Sequence, residues 1–163
     1  MDWHACPVVG SSPGGHSGVT QMPGSRRSPT HGTRRARVLV VDDQAPFLAV
    51  LHELVSATLG LEVIAEARSG EKAIEAVSDT EPDVIVMDVW MPGIGGCAAA
   101  REIKAGWPSI LVVLVSTSHP DEIALDPDAA FADALVWKSE LDPRRLDDMW
   151  STCQDQRSGS AGL

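Results

Sequence analysis

Short apolar runs that end in a polar residue recur along this chain. Four of them are dominated by Val, Ile, Leu and Met, and unbroken runs of this kind are typical of strands covered on both faces of a sheet. A fifth run, residues 61–67, is weaker because Glu62 and Glu66 interrupt it. The four stronger runs are residues 38–41, ending at Asp42; 84–87, ending at Asp88; 110–115, ending at Ser116; and 134–137, ending at Lys138.

Helical periodicity fills the intervals between these strands. Apolar residues at spacings of three and four predict helices after the first, second and last strands. Ser69 is a predicted N-cap, and the Asp142-Pro143 pair predicts the start of the last helix. A helix of small residues is expected over residues 97–105, whereas Pro127 should leave the fourth helix short or irregular. The periodic positions are Phe47, Leu51, Leu54, Val55, Thr58 and Leu59, followed by Gly60; then Ala73, Ile74 and Val77; then Leu146, Met149 and Trp150.

The order of these elements indicates the fold class. Strands that alternate with helices predict an α/β protein with a doubly wound, five-stranded parallel sheet and right-handed crossovers. Residues 37–151 form this predicted domain.

Residues 1–36 are expected to be a disordered leader, because a segment rich in Gly, Pro, Ser, His and Arg buries too little apolar surface to offset its ordering entropy. Residues 152–163 are expected to be a disordered tail, and Met22 is an alternative start.

Charge and cysteine content indicate which partners and which cellular compartment to expect. Residues 1–37 carry five Arg against one Asp, a net +4, and residues 38–163 carry 8 Lys/Arg against 22 Asp/Glu, a net −14. The acidic body argues against direct DNA binding, although the arginines of the leader could touch an acidic partner. Cys6, Cys97 and Cys153 form neither a disulfide framework nor a zinc spacing, so the reducing cytoplasm is expected. No apolar run approaches the roughly 18 residues of a membrane span, so no membrane association is expected.

The residues that end the strands should meet at one edge of the sheet. Because the carboxyl ends of parallel strands share a rim, Asp42, Asp43, Asp88, Ser116 and Lys138 are predicted to line one cleft. Two carboxylates about 4 Å apart repel by roughly 4 kcal/mol at an intermediate dielectric, so the cluster needs a cation. Mg²⁺ is the expected cofactor, held by Asp43 and Asp88, with Asp42 directly or through water. A solvated strand-end turn is the alternative reading of these acids.

The same cluster suits phosphoryl transfer. An Asp carboxylate can accept a phosphoryl group as an acyl phosphate, and in-line transfer then needs charge neutralisation more than it needs a base. Asp88 is the candidate nucleophile, and Lys138 would neutralise charge on the side away from the metal. The Ser116 hydroxyl can donate to a phosphoryl oxygen, although Thr117 or Ser118 would take that role if the strand ended later.

Taken in chain order, these motifs resemble the receiver domain of bacterial response regulators. The resemblance covers residues 36–151 and implies a flavodoxin-like fold with five flanking helices and a signalling role in a two-component phosphorelay. The matching residues are Val41-Asp42-Asp43, Met87-Asp88-Val-Trp-Met91-Pro92-Gly93, Ser116 and Trp137-Lys138-Ser-Glu-Leu141.

The resemblance also implies a role for individual residues. Asp88 would receive the phosphoryl group from a sensor histidine kinase or a small phosphodonor, and Ser116 and Lys138 would contact that group. An unknown downstream protein would then read the phosphorylated state. The implied Mg²⁺ ligands are Asp42, Asp43, Asp88 and the backbone carbonyl of Trp90.

Three departures from the family pattern concern the output side of the domain. Leu135 stands where receivers often carry a switch aromatic, and Ser139 follows the lysine where a proline, and with it a cis-prolyl turn, is common. Pro127 and Phe131 alter the fourth helix and its exit, where many receivers carry a Gly-Ala pair. We therefore expect the phosphorylation chemistry to be intact and its transmission to be unusual.

The favoured function is a stand-alone switch that signals by protein–protein contact and turns over no external substrate. The residues from Lys138 to Leu141 are most similar to those of receivers joined to a helix-turn-helix domain, but no such domain is expected here. Dimerisation through the last helices stays open. One alternative is a pseudo-receiver that binds partners without phosphorylation. An Asp-based phosphatase is weaker, because Trp90 occupies the position where such enzymes carry a second acid, two residues after Asp88.

Overall fold

A computed structural model describes residues 34–160, which form one parallel sheet and the helices that connect its strands. The strands are β1 Ala36–Val41, β2 Leu61–Ala67, β3 Val84–Asp88, β4 Leu111–Ser116 and β5 Ala134–Trp137. The α-helices are α1 Ala45–Ala57, α2 Gly70–Thr80, α3 Gly95–Gly106, α4 Pro120–Ile123 and α5 Pro143–Ser160. The sheet order is β2-β1-β3-β4-β5, which confirms the predicted flavodoxin-like, doubly wound α/β class.

Helices cover both faces of the sheet, which explains the unbroken apolar runs. Successive side chains of a strand point to opposite faces. On β1, Val38 and Val40 therefore pack in the core beneath α1 and α5, whereas Leu39 and Val41 pack beneath α2 and α3. Every residue of β3 and β4 is buried. A strand buried on both sides has no polar face, so it reads as a continuous hydrophobic run.

Side-chain caps fix the start of two helices where the sequence predicts them. The backbone N–H of Lys72 donates to the Ser69 hydroxyl at 3.2 Å at the start of α2. The backbone N–H of Arg145 donates to the Asp142 carboxylate at 2.7 Å at the start of α5. Each bond satisfies a donor that the first helical turn leaves without an intrahelical partner.

The end of α1 differs from the prediction. The helix ends at Ala57, because Thr58 already has an extended backbone, and Leu59 is 90% exposed instead of lying on the buried face. Leu48 is buried on that face in its place. Periodicity alone extended the helix by two positions, since it carries no information about where the backbone leaves the helical conformation.

The segment between β4 and β5 is irregular, as Pro127 predicts. Helix α4 spans only Pro120–Ile123, and a 3₁₀ helix, Pro127–Phe131, follows it. Asp133 fixes the entry to β5, since its carboxylate accepts from the Lys104 ammonium at 2.9 Å and from the Val112 backbone N–H at 2.8 Å. Cys97 is buried on α3, and burial together with Asp126 raises the pKa of its thiol to about 11.

The predicted domain boundaries compare differently with the structure at the two ends of the chain. The leader up to residue 33 lies outside the described residues, and Ala36 already belongs to β1. The disordered tail predicted from residue 152 is wrong up to Ser160, because α5 continues through it. No proline interrupts this stretch, and Arg157 lies over the Trp150 ring at 5.4 Å. The sequence does not predict this extension, because a solvent-exposed helical turn has no periodic apolar residues. Within residues 34–160, no helix is long and apolar enough to cross a membrane.

Candidate functional site

Three carboxylates meet at the carboxyl edge of the two central strands. Val41 pairs with Met87 in the β1–β3 register, so Asp42 and Asp43, which follow β1, lie beside Asp88 at the end of β3. One carboxylate oxygen from each of the three residues lies within 4.8 Å of the others. Asp42 and Asp88 are buried, and an oxygen of the partly exposed Asp43 is buried without a hydrogen-bond partner in the part of the chain that the structure describes.

Lys138 brings the positive charge into this cluster. It follows β5 directly, and its ammonium lies 2.6 Å from Asp42 and 3.3 Å from Asp88. The side chain is only 10% exposed, and its nitrogen lies 3.9 Å from the centre of the Phe47 ring. A cation over an aromatic face is stabilised by the quadrupole of the ring, so Phe47 helps hold the ammonium between the two acids.

Ser116 lies on the neighbouring strand and is 1% exposed. Its hydroxyl accepts from the backbone N–H of Ser118 at 3.0 Å, and its own proton is free to be donated elsewhere. A cleft of about 330 Å³ opens beside it, lined by Ser116, Thr117, Trp137, Lys138 and Ser139. The structure thus places Ser116 beside the same cleft as Lys138 at the carboxyl edge of the sheet, where the sequence predicts it.

The loop that follows Asp88 is held by close backbone contacts. Trp90 is 61% exposed at the edge of the site. Further along, the backbone N–H of Ile94 donates to the Glu71 carboxylate at 3.1 Å, which ties the loop to α2. A Cβ at Gly96 would overlap the Asp88 carbonyl oxygen, so α3 can approach the end of β3 this closely only with glycine there.

Burial dominates the electrostatics of Asp88. Desolvation raises the pKa of its carboxyl, and the neighbouring Asp42 charge raises it further. The Lys138 ammonium and the backbone N–H of Trp90 lower it, but they do not outweigh burial. Three carboxylates face one ammonium, so the ionised cluster carries a net charge of −2. A divalent cation would balance that charge.

The residues present fit Mg²⁺ as a ligand set. The donors are carboxylate oxygens, which this hard cation prefers, and an Asp43 oxygen is buried without a hydrogen-bond partner among residues 34–160. A buried polar atom without a partner costs free energy and calls for a ligand or water. The fit therefore rests on both the chemistry and the incomplete hydrogen bonding of the cluster.

Sequence reasoning missed three residues that shape the site. The sequence pattern places Phe47 only on the apolar face of α1, and it gives Glu71 and Gly96 no role at the site. Nothing in the local pattern distinguishes Phe47 from other apolar helix positions. The Gly95-Gly96 pair, directly before the predicted helix of residues 97–105, is the one available signal, because glycine is favoured where two backbone segments approach closely.

The family model of the response regulator receiver domain matches residues 38–149. The chain belongs to this family. Among solved structures, the response regulator domain of Thermotoga maritima CheB is similar to this receiver with a TM-score of 0.61 and 29% identity, covering 75% of this chain and 96% of that one. A LuxR-family response regulator from Aurantimonas sp. SI85-9A1 has a TM-score of 0.62 and 30% identity, covering 70% of this chain and 81% of that one.

Two curated relatives show how the receiver compares with longer proteins. Protein-glutamate methylesterase/protein-glutamine glutaminase 1 of Vibrio vulnificus is 38% identical over 122 residues, which are 74% of this chain and 32% of that protein. Response regulator GacA of Pseudomonas viridiflava is 40% identical over 85 residues, 52% of this chain and 40% of that protein. The chain therefore spans well under half the length of these relatives.

Proposed function

We propose that this receiver is a phosphorylation-dependent switch in which Asp88 accepts a phosphoryl group. The observation that carries the proposal is the buried Asp88 carboxylate, 3.3 Å from the Lys138 ammonium and within 4.8 Å of the oxygens of Asp42 and Asp43. A carboxylate in this setting is shielded from water, is paired with a cation and has further oxygen ligands beside it.

In the proposed reaction, an oxygen of Asp88 forms a bond to phosphorus while the bond from phosphorus to the donor breaks. The donor leaves with that electron pair, and Asp88 becomes an acyl phosphate. The Lys138 ammonium neutralises charge on the phosphoryl oxygens, and the Ser116 hydroxyl donates a hydrogen bond to one of them. Mg²⁺, held by Asp42, Asp43, Asp88 and the Trp90 carbonyl, would supply further charge neutralisation when bound.

The phosphoryl group would act as a switch through its charge. Phosphorylation adds about −1.5 to −2 charges to a buried cluster, so it shifts the equilibrium between conformations that hold this charge differently. We propose a sensor histidine kinase or a small phosphodonor as the source, the cytoplasm as the setting, and a downstream protein as the reader. We propose neither DNA contact nor a membrane partner, and dimerisation of the chain stays an open part of the proposal.

We propose that this chain shares the receiver function with its longer relatives. We do not assign it the methylesterase activity that the name of the Vibrio protein contains. The family model matches residues 38–149, and the reactive groups within these residues are those of the acidic cluster described above. Accordingly, the chain would transfer a phosphoryl group to itself and hydrolyse it, without turning over an external substrate.

The test is phosphorylation of the full chain with acetyl phosphate and Mg²⁺, followed by intact-mass measurement. We expect a mass increase of one phosphoryl group in the wild type and none in Asp88→Asn. Asp79→Asn, an exposed carboxylate on α2, is the matched control and should behave as the wild type. An unmodified wild type would favour the pseudo-receiver, and catalytic release of phosphate from many phosphate esters would favour the phosphatase.

A further inference from the structure

A continuous series of contacts leads from the candidate site to α4. The Ser116 hydroxyl accepts from the Ser118 backbone N–H at 3.0 Å, so the side chain at the end of β4 holds the loop that follows it. The Ser118 carbonyl oxygen in turn accepts from the Trp137 indole N–H at 2.7 Å. Two hydrogen bonds therefore join the Ser116 hydroxyl, which borders the same cleft as Lys138, to a tryptophan at the end of β5.

The tryptophan contacts His119, the residue directly before α4. The rings of Trp137 and His119 meet edge to face, with centroids 4.6 Å apart and planes at 88°. His119 then caps the short helix twice: its carbonyl accepts from the Glu122 N–H at 3.0 Å, and its Nδ1 accepts from the Asp121 N–H at 3.2 Å. A displacement of the indole would therefore reach the first turn of α4.

Helix α4 is suited to respond to such a displacement. It has a single turn of four residues. A helix this short has too few internal hydrogen bonds to be stable by itself, so its stability depends on its caps and on packing. Ile123 is buried, whereas Leu125, two residues further along the chain, is 84% exposed. A small change in the His119 cap can therefore reposition an exposed apolar residue.

The other residues of β5 do not offer an equivalent connection. Leu135 packs against the core beneath α2 and α3 and has no polar side-chain atom to bond the loop. Trp137 combines a large ring with an N–H donor, and its indole lines the cleft next to Ser116 and Lys138. Trp137 therefore borders the cleft that contains Ser116 and Lys138, and it also contacts His119 before α4.

We propose that Trp137 couples the occupation of Asp88 to the position of α4. This inference rests on the proposed function. When the Ser116 hydroxyl donates to a phosphoryl oxygen, its oxygen takes a position fixed by that bond. The Ser118 amide then follows the oxygen or loses its acceptor, the Ser118 carbonyl moves with the same residue, and the indole and the His119 cap move with it. Trp137 acts through these neighbours as a positioning residue and touches no reacting atom.

The first test is ¹⁹F NMR of the full chain labelled with 5-fluorotryptophan, with and without BeF₃⁻ and Mg²⁺. The Trp137 resonance, assigned by Trp→Phe variants at the other tryptophans as well as at Trp137, should shift on activation. Trp107 lies at the C-terminal end of α3, at the opposite edge of the sheet, and its resonance should stay in place. An unmoved Trp137 resonance in the activated protein overturns the coupling.

The second test uses Trp137→Phe, which keeps a ring but removes the N–H donor, with Trp107→Phe as its matched control. Both variants should still accept a phosphoryl group on Asp88, measured by intact mass. In the wild type and in Trp107→Phe, the backbone amide resonances of residues 121–123 should shift on activation, whereas in Trp137→Phe these shifts should shrink strongly. Equal shifts in all three proteins would refute the role of Trp137.

The two proposals fail in different ways. If the wild type takes up neither BeF₃⁻ nor a phosphoryl group, the switch itself is refuted and the coupling falls with it. If the wild type is modified on Asp88 but Trp137 does not respond, only the coupling is refuted. The wild-type ¹⁹F measurement decides this even if Trp137→Phe does not fold, because the other four variants assign the spectrum by elimination.

Discussion

At the scale of single residues, Asp88 shows how a reactive group is kept at some cost to stability. Its carboxylate is buried beside another carboxylate, and the resulting rise in its pKa means that the folded state disfavours its charged form. Lys138 offsets part of this cost but is shared with Asp42, which it contacts at the shorter distance of 2.6 Å. Removing the charge of Asp88 should therefore relieve repulsion and leave the Lys138–Asp42 pair in place.

Asp88→Asn is accordingly expected to raise the stability of the metal-free protein at pH 7, by on the order of 1 kcal/mol or a few degrees in Tm. An acid whose pKa is raised by folding favours the folded state below its unfolded pKa, and this contribution is lost as the pH rises through the folded pKa. The advantage of the variant over the wild type should thus shrink as the pH falls toward about 4.

Thermal unfolding in EDTA across this pH range measures the effect. Asp79→Asn is the control, because its carboxylate is exposed on α2 and no burial cost is relieved there. A variant at position 88 that is less stable than the wild type at pH 7 would show that the Lys138 pairing outweighs burial.

At the scale of elements, the approach of α3 to β3 depends on one backbone contact. Gly96 lies in the first turn of α3, and an added Cβ would overlap the carbonyl oxygen of Asp88. Gly106 lies at the other end of the same helix, and a Cβ there would have no neighbour within 4 Å. The two glycines therefore form a matched pair with opposite expectations.

Gly96→Ala is expected to destabilise the protein by roughly 1–3 kcal/mol, because the helix must shift away from the strand that carries Asp88. Gly106→Ala should be neutral or stabilising by up to about 1 kcal/mol, since alanine has the better helix propensity and meets no obstacle. Urea unfolding of both variants measures the difference, and equal stabilities would show that the α3–β3 contact relaxes freely.

At the scale of the whole molecule, the acidic cluster links metal binding to folding. Its carboxylates come from residues far apart in the sequence, Asp42 and Asp43 after β1 and Asp88 after β3, so only the folded chain assembles them. A ligand that binds only the folded state stabilises it by mass action, by about 2.7 kcal/mol at a concentration one hundred times its Kd. The stability of this protein should therefore depend on Mg²⁺.

Mg²⁺ is expected to raise the Tm of the wild type in a concentration-dependent manner and to have little effect on Asp43→Asn. The asparagine removes one charged ligand, at the residue whose carboxylate oxygen is buried without a hydrogen-bond partner among the described residues. Asp147→Asn, an exposed acid on α5, should respond to Mg²⁺ as the wild type does. The same rise in Tm in all three proteins would show that the ion binds elsewhere.

By itself, the sequence determined the class of fold and the composition of the site. Strands buried on both faces leave continuous apolar runs, and the polar residue that ends each run must lie at the common edge of a parallel sheet. That rule was enough to bring Asp42, Asp88 and Lys138 together, and the prolines and cap residues placed the start of α2, the start of α5 and the break after α4. These signals are local, so a single sequence carries them.

Only the tertiary structure decided the features that depend on distant neighbours. The Phe47 ring against Lys138, the exposure of Leu59 and the continuation of α5 through Ser160 leave no trace in a local pattern. The contact of Trp137 with the Ser118 carbonyl and the His119 ring belongs to the same class, because it forms between segments that meet only after the sheet is complete. Local pattern fixes which side chains reach the edge of the sheet, and packing decides which of them touch.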